Sequence, residues 1–318
     1  VTKAFRQSWV GPVAALLAVY LLFALLKPDT FARSVNLVTM ARQTVVVGIA
    51  AAGMTLIIIS GGIDLSVGSS VALTTVVVAR ALNAGAGPYA AALAGIAVAA
   101  MAGLVIGAAI GFIRITPFVV TLGAMTVLRG GAKGIAHEQK IDADARGLDV
   151  LLGVLRPERS FLIFPPGVYV LALVSLVAAG LLRYTKLGRH VFAIGSNERT
   201  ALLCGVRVPA VKMAVYALSG ALAGLAGVME FATLTVGDPT DSIGLELDVI
   251  AAAVIGGASL LGGEGSILGT LVGAFLMTVI KTGCTHLGLA NWVEEVVTGV
   301  IIVVAVALDR LRHQRASR

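Results

Sequence analysis

Charged side chains are scarce in this sequence. They make up 13% of its 318 residues, against roughly 25% in an ordinary soluble domain. Hydrophobic residues make up 58% and the mean hydropathy is +0.97. That balance excludes an ordinary cytosolic enzyme. Cysteine is nearly missing: Cys204 and Cys284 stand far apart, one in a hydrophilic stretch and one in an apolar run. Neither a disulfide framework nor a metal site follows, and both read as structural fillers. No glycine is followed by lysine, so the chain lacks a G-x-x-x-x-G-K-[ST] loop to cradle ATP phosphates. Its histidines, His137, His190, His286 and His313, show no metal-ligand spacing. Gly263-Glu264-Gly265 lacks the third glycine of a dinucleotide fingerprint. The sequence therefore predicts no catalytic centre, no cofactor and no metal, and any ATP-driven work needs a nucleotide bound by another chain.

What remains is apolar length. A membrane span needs about 20 mainly apolar residues, because each rises roughly 1.5 Å across a hydrocarbon core of roughly 30 Å. Runs of this kind fall near 10–26, 43–60, 65–80, 89–113, 117–132, 161–182, 211–230, 243–261, 266–282 and 291–308. They predict an all-α, polytopic transmembrane bundle of about ten helices, a single domain over 1–318. Residues 1–27, basic at Lys3 and Arg6 and then apolar, read as an uncleaved first helix rather than a signal peptide, since no convincing cleavage site follows.

The formal charge of +7 is spread over span ends and short loops rather than gathered in one stripe, so lipid head groups account for it better than nucleic acid. An even number of spans puts both termini on one side. The Arg-rich tail (Arg310, Arg312, Arg315, Arg318) and the 183–212 loop, with Arg183, Lys186, Arg189, Arg199, Arg207 and Lys212, then share that side. By the positive-inside rule it is the cytoplasm. The 133–160 loop, which mixes Lys133, Lys140, Arg146, Arg156 and Arg159 with Glu138, Asp142, Asp144, Asp149 and Glu158, faces the outside.

Two sets of glycines at four-residue spacing, Gly103, Gly107 and Gly111, and Gly265, Gly269 and Gly273, read as packing seams along one helix face each. Ile49-Ala-Ala-Ala52 before Gly61-Gly62 echoes Ile250-Ala-Ala-Ala253 before Gly262-Gly263 at a constant offset. Chance explains that echo in so Ala- and Gly-rich a chain, but it marks two glycine-broken turns.

Three segments interrupt the apolar pattern. Ser60-Gly-Gly-Ile-Asp-Leu-Ser-Val-Gly68 reads as a broken helix or tight turn with freed backbone groups. Asp64 or Ser66 is placed to cap the next helix, while a charge in a membrane also raises direct solute contact by Asp64 as a second reading. In Ile115-Thr-Pro-Phe-Val-Val-Thr-Leu-Gly123, Pro117 suits the first turn of a helix. Thr116 and Thr121 bond carbonyls of their own helix or project into a polar pathway. The stretch 187–207 is hydrophilic: Ser196 or Asn197 can cap a short helix, Glu198 complements its positive end, and Gly205 can end it in a left-handed conformation. Ala201, Leu202 and Cys204 offer a small apolar surface that suits docking into a partner's groove or lying on lipid.

Taken in order, these pieces carry a resemblance. Gly53-Met54-Thr55 leads into Gly61 to Gly68, followed by Pro117-Phe118, Thr121-Leu122-Gly123 and Arg129-Gly130. After them come Gly188-Arg189, Ala193-Ile194-Gly195, Asn197 and Gly205-Val206, and then Leu247-Asp248, Ile255-Gly256-Gly257 and Gly262-Gly263. Over residues 36–309 the chain resembles the permease subunits of the ribose-type ABC importers, a family that also serves xylose, galactose, inositol and autoinducer-like sugars.

The resemblance implies an ABC ATPase subunit, an extracytoplasmic solute-binding protein, a second permease chain and a bacterial inner-membrane location. It also implies that 188–205 is the loop that contacts the ATPase, with Gly188, Gly195, Asn197, Glu198, Ala201 and Gly205 as its candidate residues. Thr55, Asp64, Ser66, Pro117 and Thr121 are the candidates for the pathway or its helix breaks. The related branched-chain amino-acid importers share much of this layout, and the 61–68 segment favours the sugar branch. A secondary transporter is the remaining alternative. It calls for paired ionisable residues at the midplane, whereas the clearest in-span charges, Asp64, Glu230 and Asp248, are few and near span ends.

Overall fold

The computed structural model describes residues 10–153 and 162–316. Lys3, Arg6, Arg156, Glu158, Arg159 and Arg318, used above in weighing topology, lie outside the described residues. The helices are α1 (Val10–Leu26), α2 (Ser34–Ile59), α3 (Val67–Asn83), α4 (Pro88–Ala108), α5 (Pro117–Ala136), α6 (Pro166–Tyr184), α7 (Lys186–Ser196), α8 (Glu198–Leu203), α9 (Val208–Leu234), α10 (Leu245–Ile255), α11 (Ile267–His286) and α12 (Asn291–Ala316). A π-turn, Ala109–Ile113, continues α4. Proline starts α4, α5 and α6, where its missing N–H costs nothing because the first turn has no carbonyl to meet.

The chain is an all-α membrane bundle. Each run read from the sequence holds a helix, but length and apolarity qualify six of them as spans: α2, α4 with its π-turn, α5, α6, α9 and α11. The run at 243–261 is the main correction. Its helix α10 stops at Ile255 after 11 residues, about 16 Å at roughly 1.5 Å per residue, and the rest is turn. The 133–160 loop also begins later than expected, because α5 continues to Ala136.

Helix α2 is the centre, with 83% of its most apolar window buried, against 11% for α5. Apart from Thr55 it is apolar around its circumference between Val45 and Ile59, as a helix surrounded by other helices must be. Two hydroxyl pairs tie it to α11: Thr44 Oγ1 donates to Thr278 Oγ1 at 2.9 Å and Thr55 Oγ1 meets Thr270 Oγ1 at 2.7 Å. Such interhelical bonds in a bilayer contribute about 0.6 kcal/mol each on average.

The first glycine seam is real. Gly103 and Gly107 lie against the α9 backbone at Tyr216 and Met213, Gly111 against Pro209, and Gly220 and Gly224 of α9 return the contact at Ala99 and Ile96. In the second, Gly269 and Gly273 meet the α10 backbone around Gly256 and Ala252, but Gly265 precedes α11 and packs on Ile59. Four-residue spacing cannot say where a helix begins.

Contacts between loops sort the bundle into two ends. Strand β1 (Ile141–Asp142), after α5, pairs antiparallel with β2 (Val236–Gly237), after α9. At the other end Gly263 N–H donates to Ile59 O at 2.9 Å, and Gly195 of α7 packs against both residues. The β end therefore gathers the 137–153 and 235–244 stretches, and the glycine end gathers the turns after α2, α7 and α10.

The α4–α9 seam gives a direct test. Gly220→Ala places a Cβ against the Ala99 backbone, an overpacking of about 1–3 kcal/mol. Its thermal midpoint in detergent should fall clearly below that of Gly180→Ala, whose new methyl meets nothing within 4 Å.

Candidate functional site

The turn after α2 collects most of the predicted pathway residues. Asp64 is buried, and its Oδ1 accepts both the Ser66 N–H at 2.8 Å and the Ser66 hydroxyl at 2.6 Å. This departs from the capping expectation. Ser66 occupies the cap position of α3 but bonds no first-turn N–H, because its hydroxyl is spent on Asp64. Asp64 instead closes an Asx turn that aims the chain into α3. Thr121 of α5 reaches across to the same turn, its hydroxyl donating to Ile63 O at 3.2 Å while also reaching Phe118 O. Thr55, a turn deeper in α2, bonds Ala51 O and Thr270 rather than facing an opening. Pro117 is the first residue of α5.

Gly195 brings the 187–207 stretch to this turn. Its hydrogen points at the Ile59 carbonyl and the Gly263 N–H, leaving no room for a Cβ. Gly262 also stands against Gly61, with 3.1 Å from its ideal Cβ position to the Gly61 Cα. The two glycine turns flagged by the sequence echo thus touch each other and α7.

The stretch forms two helices rather than one. Thr185 Oγ1 accepts the Gly188 N–H at 3.1 Å and caps α7, where Gly188 packs on the Leu181 and Leu182 carbonyls. Asn197 Oδ1 accepts the Thr200 N–H at 2.9 Å and caps α8. Glu198 at the first turn of α8 bonds Lys212 of α9 at 2.7 Å. Gly205 follows with φ +83°, a left-handed backbone that costs glycine little. Ala201 is a correction: it is buried against the bundle, and the apolar surface on view is Leu202, Leu203 and Cys204.

At the β end, α2, α9, α10, α11, α12 and linker residues 241–243 line a half-open cavity of about 780 Å³ with many polar side chains. It joins Glu230 and Asp248, read from the sequence as few in-span charges near span ends, and adds Lys281 and Glu294, which the sequence reading missed. Asp248 Oδ2 and Lys281 Nζ are 2.6 Å apart, with Glu294 Oε1 at 3.8 Å from the same ammonium. Charges in the bundle are therefore paired after all. A lysine alone in the apolar 267–286 run was the available signal. Among the described residues no three His, Cys, Asp or Glu side chains converge to hold a metal.

Above the cavity the 236–244 linker is fastened from two sides. Arg129 Nη1 of α5 donates to the Pro239 and Asp241 carbonyls, and Lys140 pairs with Asp238 at 2.9 Å. Burial pushes the Asp238 carboxyl up, but hydrogen bonds from Thr240 and Lys140 outweigh it and hold it below the usual carboxylate range.

A multi-pass bundle with a polar cavity at one end and paired short helices at the other is the layout of a membrane transport subunit. Residues 36–306 match the family described as branched-chain amino acid transport system / permease component. The ribose import permease protein RbsC of Escherichia coli K12 is 37% identical over 97% of both chains. RbsC of Bacillus subtilis 168 is 38% identical over 95% of this chain and 92% of its own, and the D-allose transport system permease protein AlsC of E. coli K12 is 31% identical over 96% and 94%. No solved structure matches the chain. The chain belongs to the ribose-type family of ABC importer permeases.

Asp64→Leu should strand the buried Ser66 N–H and hydroxyl, at about 1–3 kcal/mol for each unsatisfied group. Asp64→Asn keeps an acceptor oxygen. The leucine variant should melt well below the asparagine variant in detergent; equal midpoints would show that the Asx turn does not hold the break.

Proposed function

We propose that the chain forms the translocation pathway of an ATP-driven importer for a sugar or sugar-like solute, crossing the bacterial inner membrane about ten times with both termini cytoplasmic. A partner ABC ATPase docks on residues 188–205. A second permease chain stands alongside, and a solute-binding protein delivers to the β end. The relatives named for ribose and D-allose, matched over nearly their full lengths, favour sugar over the branched-chain amino acids of the family description.

The observation that carries the coupling role is the seat of Gly195 on Ile59 and Gly263. A helix pair that offers Leu202 and Leu203 outward while its other end is wedged between two turns of the bundle can pass a push inward. The basic residues Arg183, Lys186, Arg189, Arg199, Arg207 and Lys212 at this end support its cytoplasmic placement.

Orientation is tested by single cysteines in a chain with Cys204 and Cys284 replaced. An impermeant thiol reagent outside intact cells should label position 144 and spare position 198; the reverse pattern overturns the topology.

Coupling is tested by Gly205→Val, which forces a β-branched residue to φ +83°. Uptake and solute-stimulated ATP hydrolysis in reconstituted vesicles should collapse and ATPase co-purification weaken, while the permease stays folded. Normal co-purification with normal stimulated hydrolysis would remove 188–205 from the coupling role.

A further inference from the structure

The cavity at the β end has a lining whose chemistry is specific enough to name what it holds. Its volume of about 780 Å³ lies within the roughly 300–1,000 Å³ typical of small-molecule sites. Three features of its wall point to a ligand.

The first is Glu230, on the membrane-embedded helix α9 and only partly exposed, which has no hydrogen bond or ion pair among the described residues. A carboxyl group kept in a span without an internal partner either holds a proton or needs a donor in the cavity, and in both forms an oxygen is left to accept from a hydroxyl. The second is Gln43. It lines the cavity and its side-chain oxygen accepts from Thr282 Oγ1 at 3.2 Å, which leaves the NH2 group of the same amide available to donate. The third is the Lys281 and Asp248 pair, in which one carboxylate oxygen is held at 2.6 Å and the other is open.

The charge balance narrows the class. Glu230, Asp241, Asp248 and Glu294 line the cavity together with Arg42, Lys281 and His286, so acidic groups outnumber basic ones and an anion is disfavoured. An apolar solute would strand these polar groups, and the carboxylates do not converge as metal ligands do among the described residues. A neutral molecule with several hydroxyls fits, since hydroxyls donate to carboxylates and accept from amide and ammonium groups.

We propose that this cavity is a solute-binding site taking a neutral polyhydroxylated molecule, with Glu230 and Asp248 accepting its hydroxyls and Gln43 donating to it. Lys281 is a positioning residue that orients Asp248. This rests on the sugar reading above and adds a place and a set of contacts to it.

The test needs neither ATP nor partner subunits, so its failure is separable from failure of the coupling role. In the full-length chain purified in detergent, with Cys204 and Cys284 replaced, Thr285→Cys puts an exposed thiol on the cavity wall. Its labelling by a charged methanethiosulfonate is timed with D-ribose, D-galactose, myo-inositol or L-leucine. At least one of the three polyols should slow labelling several-fold and L-leucine should not, while a cysteine at Leu203, at the opposite end, is unaffected. Adding Glu230→Met should abolish the protection without lowering the thermal midpoint, because a side chain of similar length replaces Glu230 and no hydrogen bond or ion pair is lost. Absence of protection by all three polyols, equal protection by L-leucine, or full protection in Glu230→Met would each overturn the proposal.

Discussion

Three backbone segments meet at Ile59, Gly195 and Gly263 with no side chain between them, and the arrangement of the glycine end follows from that contact. The Gly263 N–H completes the hydrogen bonding of the Ile59 carbonyl, one of the last in α2, which the helix itself cannot satisfy. In a bilayer an orphan carbonyl has no water to turn to, so the turn following α10 is needed where it is. The end of α7 then closes over the bond, because only glycine leaves space above it. Asp64 and Thr121 fix the remainder of the turn through Ser66 and the Ile63 carbonyl.

How much of this was legible depends on whether the signal was local. The caps of α7 and α8, the left-handed Gly205 and the proline at the head of α5 depend on a few neighbouring residues, and Asn197 and Gly205 do what their types predict. Ala201 shows the limit. Its neighbours Leu202 and Leu203 point outward while it is buried, and which side of so short a helix faces the bundle is decided by α9, not by the helix. The eighth apolar run was long enough to span, yet Gly256 and Gly257 end its helix early. Hydropathy counts apolar length and is blind to a turn made of small residues.

The cavity at the β end was the least legible part, for a physical reason. A buried charge announces itself in sequence, but its partner does not: Lys281 and Asp248 are 33 positions apart and meet only because α10 and α11 pack closely at their glycines. Glu230 was visible from the start, and nothing in the sequence said that α9 would turn it toward the same space.

Helices α2 and α11 connect the two ends. Helix α2 starts at the cavity with Asn36 and Thr39 and finishes at the glycine contact with Ile59; α11 starts beside that contact at Ile267 and reaches the cavity with Lys281, Thr282 and Thr285. The pairs Thr44–Thr278 and Thr55–Thr270 bind the two helices along their length. A displacement of α7 at Gly195 therefore cannot shift α2 alone without breaking hydroxyl bonds that have no water to replace them. A motion that carries α2 and α11 together against α9 keeps those bonds but has to slide the α2–α9 contact, where Gly53 meets the Ser219 backbone, while the α4–α9 seam holds α9 in place. Gln43 on α2 and Lys281 on α11 would then move as one wall of the cavity, and Glu230 on α9 would stay with the other. On the proposed reading, a push at the coupling helices changes the distance between the donors and the acceptor that grip the solute, and release inward needs no side chain that reaches from one end to the other.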